Sequence, residues 1–138
     1  MRFEYEPVPL SGGGVSYQPR VDIVFTNPQN GKRATIKALI DSGAGMTVLN
    51  AQFADILEIN LEAGRPRRFY GITSSAVGYD HPLTIRVRQD RRNEFLITCA
   101  FLPGLQTDAL LGQSGFFENY KVIFERYRNR FQVIPHRT

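Results

Sequence analysis

One acidic residue interrupts the most apolar stretch of this sequence. In Ala38-Leu39-Ile40-Asp41-Ser42-Gly43-Ala44-Gly45-Met46-Thr47-Val48-Leu49 a carboxylate separates two strand-like segments. An unpaired charge is too costly to bury, so the chain must end one strand at Ile40, turn, and start another near Val48, with Asp41 held at the turn. Gly43 lets the backbone turn sharply. A carboxylate at a strand end, beside a small hydroxyl residue and a glycine, is presented as an acid-base group must be, pointing out of a sheet toward a substrate. Asp, Ser and Gly are also ordinary turn residues, and the tripeptide by itself reads as a β-turn. The remainder of the chain decides between the two.

The remainder is a succession of strand patterns. The first twenty residues read as an arm, in which Phe3 and Tyr5 alternate with charge before Pro7, Pro9 and Gly12-Gly13-Gly14 break the pattern. Residues 21–26 alternate as a strand, Asn27-Pro28-Gln29-Asn30-Gly31 is a turn, and residues 32–40 form the second arm of a hairpin that delivers Asp41. Asn50 is placed to cap a short helix over residues 51–57, with Phe53, Ile56 and Leu57 on its inner face. Strands are expected over 83–88 and 94–101, the second with Phe95, Ile97, Cys99 and Phe101 on one face, and over 120–127 and 131–134. Ten Phe and six Tyr in 138 residues, with few helical periodicities, favour an all-β build. No repeat or linker divides the chain, so residues 21–138 are expected as a single domain of a size that can bury a core.

Several function classes fare poorly. The 17 basic and 13 acidic residues leave a net charge of only +4. The arginines recur mostly at spacing two, which puts them on the solvated face of strands; no nucleic-acid motif accompanies them, and no nucleic-acid partner is expected. His81 and His136 lack partners at metal-ligand spacing, so neither a metal nor a cofactor is expected. Gly112-Gln113-Ser114-Gly115 lacks the spacing of a nucleophile elbow, and Ser114 reads instead as a helix N-cap. Gly12-Gly13-Gly14 lacks the lysine of a phosphate loop. The one cysteine, Cys99, falls on an apolar strand face and cannot form an intramolecular disulfide. The opening residues carry acids and prolines where a signal peptide needs an apolar core, and no run approaches a membrane span. No membrane partner is expected, and the cytoplasm is the default compartment.

About seventy residues after Asp41 stands a second segment, Asp108-Ala109-Leu110-Leu111-Gly112-Gln113-Ser114-Gly115-Phe116-Phe117, followed by the strand-like Lys121-Val122-Ile123-Phe124-Glu125. Together with Ile40-Asp41-Ser42-Gly43-Ala44 it resembles the retropepsins, the retroviral-type aspartic proteases and their cellular and bacterial relatives. In that family an apolar-apolar-Asp-Thr/Ser-Gly-Ala motif is answered later by apolar-apolar-Gly and a short helix. The resemblance covers residues 21–135. It implies a closed all-β acid-protease barrel with one or two short helices, assembled as a homodimer, that hydrolyses peptide bonds of a peptide or protein substrate.

The resemblance also assigns roles. A single Asp-Ser-Gly supplies one carboxylate where hydrolysis needs an acid and a base, so Asp41 is expected from each of two subunits at a two-fold axis, the pair sharing one proton. Ser42, Gly43 and Ala44 are the active-site loop, with Ser42 hydrogen-bonding across the dimer. Ala44 brings no side-chain hydroxyl to the carboxylates, which shifts the expected activity toward neutral pH. The segment around Gly71, Ile72, Thr73, Ser74 and Ser75 falls where a retropepsin carries its flap; by residue type alone it is a surface hairpin. Leu39, Val48, Leu110 and Leu111, with Ile72, are the expected substrate pocket. Two positions depart from the retroviral pattern, Gly45 where an Asp follows the Ala and Gln113 where an Arg follows the late Gly. Those two side chains support one another in the retroviral enzymes, so losing both strands no charge and fits a divergent active branch. The Met1–Tyr5 and Phe131–Ile134 segments are then candidates for the interface sheet. The rival reading is a peptide-binding or scaffold module that kept the fold without turnover.

Overall fold

A computed structural model describes residues 1–70 and 75–136. Twelve strands account for most of it: β1 Arg2–Glu4, β2 Glu6–Pro9, β3 Val15–Gln18, β4 Arg20–Thr26, β5 Arg33–Ile40, β6 Val48–Asn50, β7 Arg65–Tyr70, β8 Ser75–Val87, β9 Phe95–Leu102, β10 Ala109–Leu111, β11 Tyr120–Glu125 and β12 Arg130–Pro135. Seven of them form one sheet in the order β4-β5-β10-β6-β9-β8-β7, and a further pairing of β4 with β8 joins the run back on itself as a ring of six. Strand β7 hangs from the outer edge of β8. This is an all-β architecture, as the sequence implies.

The ring forms because alternate residues of its strands are apolar and face inward. In β5, Ile36, Ala38 and Ile40 are buried while Lys37 and Leu39 face out. In β9, Ile97, Cys99 and Phe101 enter the core as their alternation predicts. The β4–β5 turn follows from Asn27 and Gly31. Asn27 is only 5% exposed; it accepts the Gln29 N–H at 3.0 Å and donates to the Leu57 carbonyl at 3.0 Å. Gly31 takes a left-handed φ of 75°, which favours glycine. The hairpin that carries Asp41 is thereby fastened to the segment after β6. Burial pushes the titration of the Cys99 thiol upward, so the residue is an inert core group.

The terminal segments form a second sheet, β1-β12-β11. Phe131 is fully buried, stacked by Phe3 at 5.4 Å and met edge-on by Tyr5 at 5.5 Å. The expected arm thus contributes β1 to this sheet, and its remaining part is the β2–β3 hairpin, turned at Gly13 and Gly14 with φ of 95° and 80°. Met1–Tyr5 and the last strand, both expected at a dimer interface, pair with each other inside one chain.

Three local expectations are corrected. The helix over 51–57 is a single 3-10 turn over Ala51–Ala54; Asn50 caps it by accepting the Gln52 N–H at 3.0 Å, and Ile56 is 58% exposed rather than inward. Ser114 caps no helix. It forms an isolated bridge with Met46, and residues 112–119 pass through turns in which Glu118 accepts the Gly115 N–H. Strand β8 starts at Ser75 rather than near Leu83 and runs through Pro82. Pro82 falls between the stretch of β8 paired to β7, ending at Asp80, and the stretch paired to β4, starting at Thr84, where that edge has no paired strand among the described residues. A missing N–H is tolerated there. Among the described residues no helix is long and apolar enough to cross a membrane.

Candidate active site

Asp41 emerges from the end of β5 at the crossing of two loops. Strand β10 runs parallel to β5, pairing Leu110 with Leu39 and Leu111 with Ile40, and antiparallel to β6. The Asp41 N–H continues the β5–β10 ladder to the Leu111 carbonyl at 2.9 Å. Beyond that point the loop after Asp41 and the loop after Leu111 are knitted together. Gln113 N–H donates to Ala44, Ser114 N–H to Gly45 and Thr47 N–H to Ser114, at 2.9, 3.0 and 3.0 Å. Asp41 is half-buried as a residue, and its Oδ1 accepts the Gly43 N–H at 2.9 Å in an exposed turn that fixes its orientation. Ser42 and Gly43 are exposed beside it.

Two residues hold this crossing: Thr47, which escapes a reading of the sequence, and Gly112, the late glycine of the motif, whose close packing the sequence does not show. Thr47 is fully buried, donates its hydroxyl to the Ser114 carbonyl at 3.0 Å and accepts the Gly112 N–H at 3.3 Å. Its one signal in the sequence is a hydroxyl in an otherwise apolar run. Gly112 lies so close to the opposite loop that a Cβ there would meet the Met46 carbonyl oxygen at 2.2 Å and the Ala44 carbonyl oxygen at 2.8 Å. The loop is further tied by Gln113, whose side-chain amide donates to the Ser42 carbonyl at 2.8 Å.

A cleft of about 570 Å³ opens beside the loop, bordered by Ala44, Gly45 and Met46, by Val48 of β6, Leu110 of β10, Thr98 and Leu102 of β9, Leu105 and Ser114, and by Arg67, Arg68 and Phe69 of β7. Of the expected pocket residues, Val48 and Leu110 line it. Leu111 does not, because it is fully buried in the core, and Leu39 does not border it either. The two-residue period of a strand separates Leu110 from Leu111, which face opposite sides of β10, and the side that faces the cleft takes only the first. Of the expected flap, Gly71, Ile72, Thr73 and Ser74 lie outside the described residues, whereas Ser75 starts β8 and accepts from Arg68 at 3.4 Å. Strands β7 and β8 pair antiparallel from Arg65↔Asp80 to Tyr70↔Ser75, and Arg67, Arg68 and Phe69 of β7 wall the cleft.

The cleft is mostly apolar, and no carboxylate lines it. Arg67 is held by a fork to Asp80, with nitrogen-oxygen distances of 2.9, 3.1 and 2.8 Å, and this hydrogen bonding keeps its guanidinium more firmly protonated. Among the described residues no cluster of three or more His, Cys, Asp or Glu side chains is placed to hold a metal.

The chain is similar to known proteins in family and in fold. Residues 26–114 match the family described as Aspartyl protease, a span that runs from the end of β4 through both loops of the crossing. The crystal structure of a retropepsin-like aspartic protease from Rickettsia conorii superposes with a TM-score of 0.64 at 16% identity, covering 97% of this chain and 98% of that one. The EIAV protease in complex with an inhibitor aligns with a TM-score of 0.45 at 19% identity, over 71% of this chain and 84% of that one. No curated protein matches the sequence. With the family shown over well over half the chain and the fold shown by the rickettsial structure, this chain belongs to the aspartyl proteases and has a retropepsin-like fold.

Proposed function

We propose that the protein is an aspartic endopeptidase that works as a homodimer in the cytoplasm, with Asp41 of each subunit at the two-fold axis. The observation that carries this reading is the Asp41 carboxylate, oriented by the Gly43 N–H at the start of the loop whose Ala44 and Gly45 border an apolar cleft with no carboxylate in its lining. Hydrolysis needs a base for the attacking water and an acid for the carbonyl oxygen. A second copy of Asp41 supplies the missing group, and two carboxylates in contact hold one proton between them. The ionised member takes a proton from water as its oxygen bonds to the scissile carbon, while the protonated member gives its proton to the carbonyl oxygen. Collapse of the resulting diol breaks the C–N bond, and the proton passes to the leaving nitrogen.

In this reading Ser42, Gly43 and Ala44 are the active-site loop, Val48 and Leu110 receive apolar side chains beside the scissile bond, and the β7–β8 hairpin is the flap. The protease domain takes in residues 21–138, and the first twenty residues add β1 to the terminal sheet. The test is Asp41→Asn. Purified variant is expected to keep its assembly state and lose peptide hydrolysis, and an excess of it mixed with wild type is expected to poison activity through heterodimers with one competent carboxylate. Wild-type specific activity falls on dilution with the dimer fraction, followed by light scattering. A variant that cleaves as well as wild type, or a monomer with full activity, refutes the site. Dimerisation and peptide affinity with no turnover in wild type would identify a binding module instead.

A further inference from the structure

The charged side chains that line the cleft are two neighbouring arginines with different surroundings. Arg67 is neutralised by Asp80, whose side chain is 10% exposed and which grips the guanidinium through both oxygens. Arg68 is exposed, and among the described residues no carboxylate lies within 4 Å of it; its side chain reaches only the Ser75 hydroxyl, at 3.4 Å. A guanidinium on the wall of a cleft made largely of Val48, Phe69, Leu102 and Leu110 is a single charge facing an apolar groove. Its planar fork of donors fits a carboxylate, and closure of a peptide over it removes the water that otherwise weakens such a pair. Arg68 also lies on β7, the last strand of its sheet, whose outer edge has no neighbour among the described residues. An extended peptide beside that edge presents alternate side chains to the same wall.

We propose that Arg68 is a specificity-determining residue that selects substrates carrying Asp or Glu close to an apolar scissile pair. The inference rests on the reading of this cleft as a peptide site. It gains a distinctive signature from the two-fold axis, because an isologous dimer presents one Arg68 to each half of the substrate. The preferred acids therefore stand on both sides of the scissile bond, the same number of residues from it.

The experiment is a cleavage-site profile on a proteome-derived peptide library, read by mass spectrometry, for wild type, Arg68→Gln, Arg68→Glu and, as a control for net charge, Arg92→Gln on the turn after β8. Wild type and Arg92→Gln are expected to show Asp and Glu enriched at matched positions on either side of the cut. Arg68→Gln lowers the kcat/KM ratio of an acidic peptide to its Asn/Gln counterpart by roughly three- to tenfold, the range between an exposed ion pair and a charge-assisted hydrogen bond, and Arg68→Glu turns the preference toward Lys and Arg. The same pair of peptides, labelled and titrated against Asp41→Asn with and without Arg68→Gln by fluorescence anisotropy, reads the selectivity without turnover. A wild type that cleaves nothing overturns the protease reading. An acidic preference that is missing, or that survives Arg68→Glu in both readouts, overturns the role of Arg68.

Discussion

Replacing Gly112 by alanine tests whether the loop crossing depends on the close approach of two backbones. The added Cβ would lie 2.2 Å from the Met46 carbonyl oxygen, 2.5 Å from its carbon and 2.8 Å from the Ala44 carbonyl oxygen. Ordinary contact begins near 3.4 Å, so the Met46 carbonyl must retreat by 3.4 − 2.2 = 1.2 Å. These atoms are backbone, and no rotamer relieves the clash. The adjoining Ala44 and Gly45 carbonyls are drawn along with it, which stretches the bonds from Gln113 and Ser114, now 2.9 and 3.0 Å, toward the limit of hydrogen bonding. Each loss costs roughly 0.5–1.5 kcal/mol, and the overpacking itself about 1–3 kcal/mol, which together give a destabilisation of about 2–6 kcal/mol. With a urea m-value of about 1.5 kcal/mol/M, the unfolding midpoint falls by roughly 1.3–4 M. Gly45→Ala is the internal control. It lies on the opposite loop, a Cβ there meets nothing within 4 Å, and its φ is outside the left-handed region, so its midpoint is expected to stay within the equivalent of about 0.5 kcal/mol. Both variants are followed by fluorescence in urea titrations at fixed protein concentration. Equal shifts for the two, or a Gly112→Ala cost below about 1 kcal/mol, would refute the argument from close approach.

The buried hydroxyl of Thr47 gives a second prediction. Thr47→Val keeps the shape but strands the Gly112 N–H, at a cost of roughly 1–3 kcal/mol, whereas Thr47→Ser keeps the bond and costs about 1 kcal/mol for the lost methyl; a valine variant as stable as the serine variant in urea contradicts the bridging role. A third concerns alkaline pH. Tyr120, 2% exposed, stacked on Phe116 at 4.9 Å and accepting the Val87 N–H, has its phenol pushed up to about 12, mainly by burial and to a lesser extent by the Asp90 charge. A raised folded value means that the stability it contributes is complete below the unfolded value of 10 and is lost as pH rises through about 12. The urea midpoint is therefore expected to fall between those limits, and more steeply in wild type than in Tyr120→Phe; identical slopes would exclude Tyr120 as the source.

Much of this was legible in the sequence, and the reasons differ by residue. Strands β4, β5 and β9 are readable because alternation of apolar and polar residues is a local property that the closed ring respects. Asp41 is readable because a charge inside an apolar run forces a turn. The misreadings arise where a local preference meets a non-local contact. Asn50 is a capable N-cap, but Leu57 is drawn into the core and receives Asn27 and Asn30 at its carbonyl, which leaves room for only one 3-10 turn. Ser114 would cap a helix, but its carbonyl is already the acceptor for Thr47. Leu111 was indistinguishable from Leu110 until the register of β10 between β5 and β6 showed which of the two faces the cleft. Arg68 was equally hidden, since its neighbours Arg65 and Arg67 make it one more member of a basic strand until Asp80 claims Arg67 alone.

The departures at Gly45 and Gln113 then acquire a physical meaning. In the retroviral pattern that the sequence resembles, an Asp and an Arg at these positions brace the active-site loop by a charge pair. Here the Gln113 amide donates to the Ser42 carbonyl at 2.8 Å, and the space beside Gly45 is open. A neutral amide-to-carbonyl bond contributes about 1 kcal/mol and, unlike an exposed ion pair, is not screened by salt. The brace is thus indifferent to ionic strength, while the one charge on the cleft wall that lacks a carboxylate partner among the described residues, Arg68, is not. Loss of activity at high salt against acidic peptides alone would report on substrate capture by Arg68, and an equal loss against neutral peptides would place the salt sensitivity in the assembly of the two subunits.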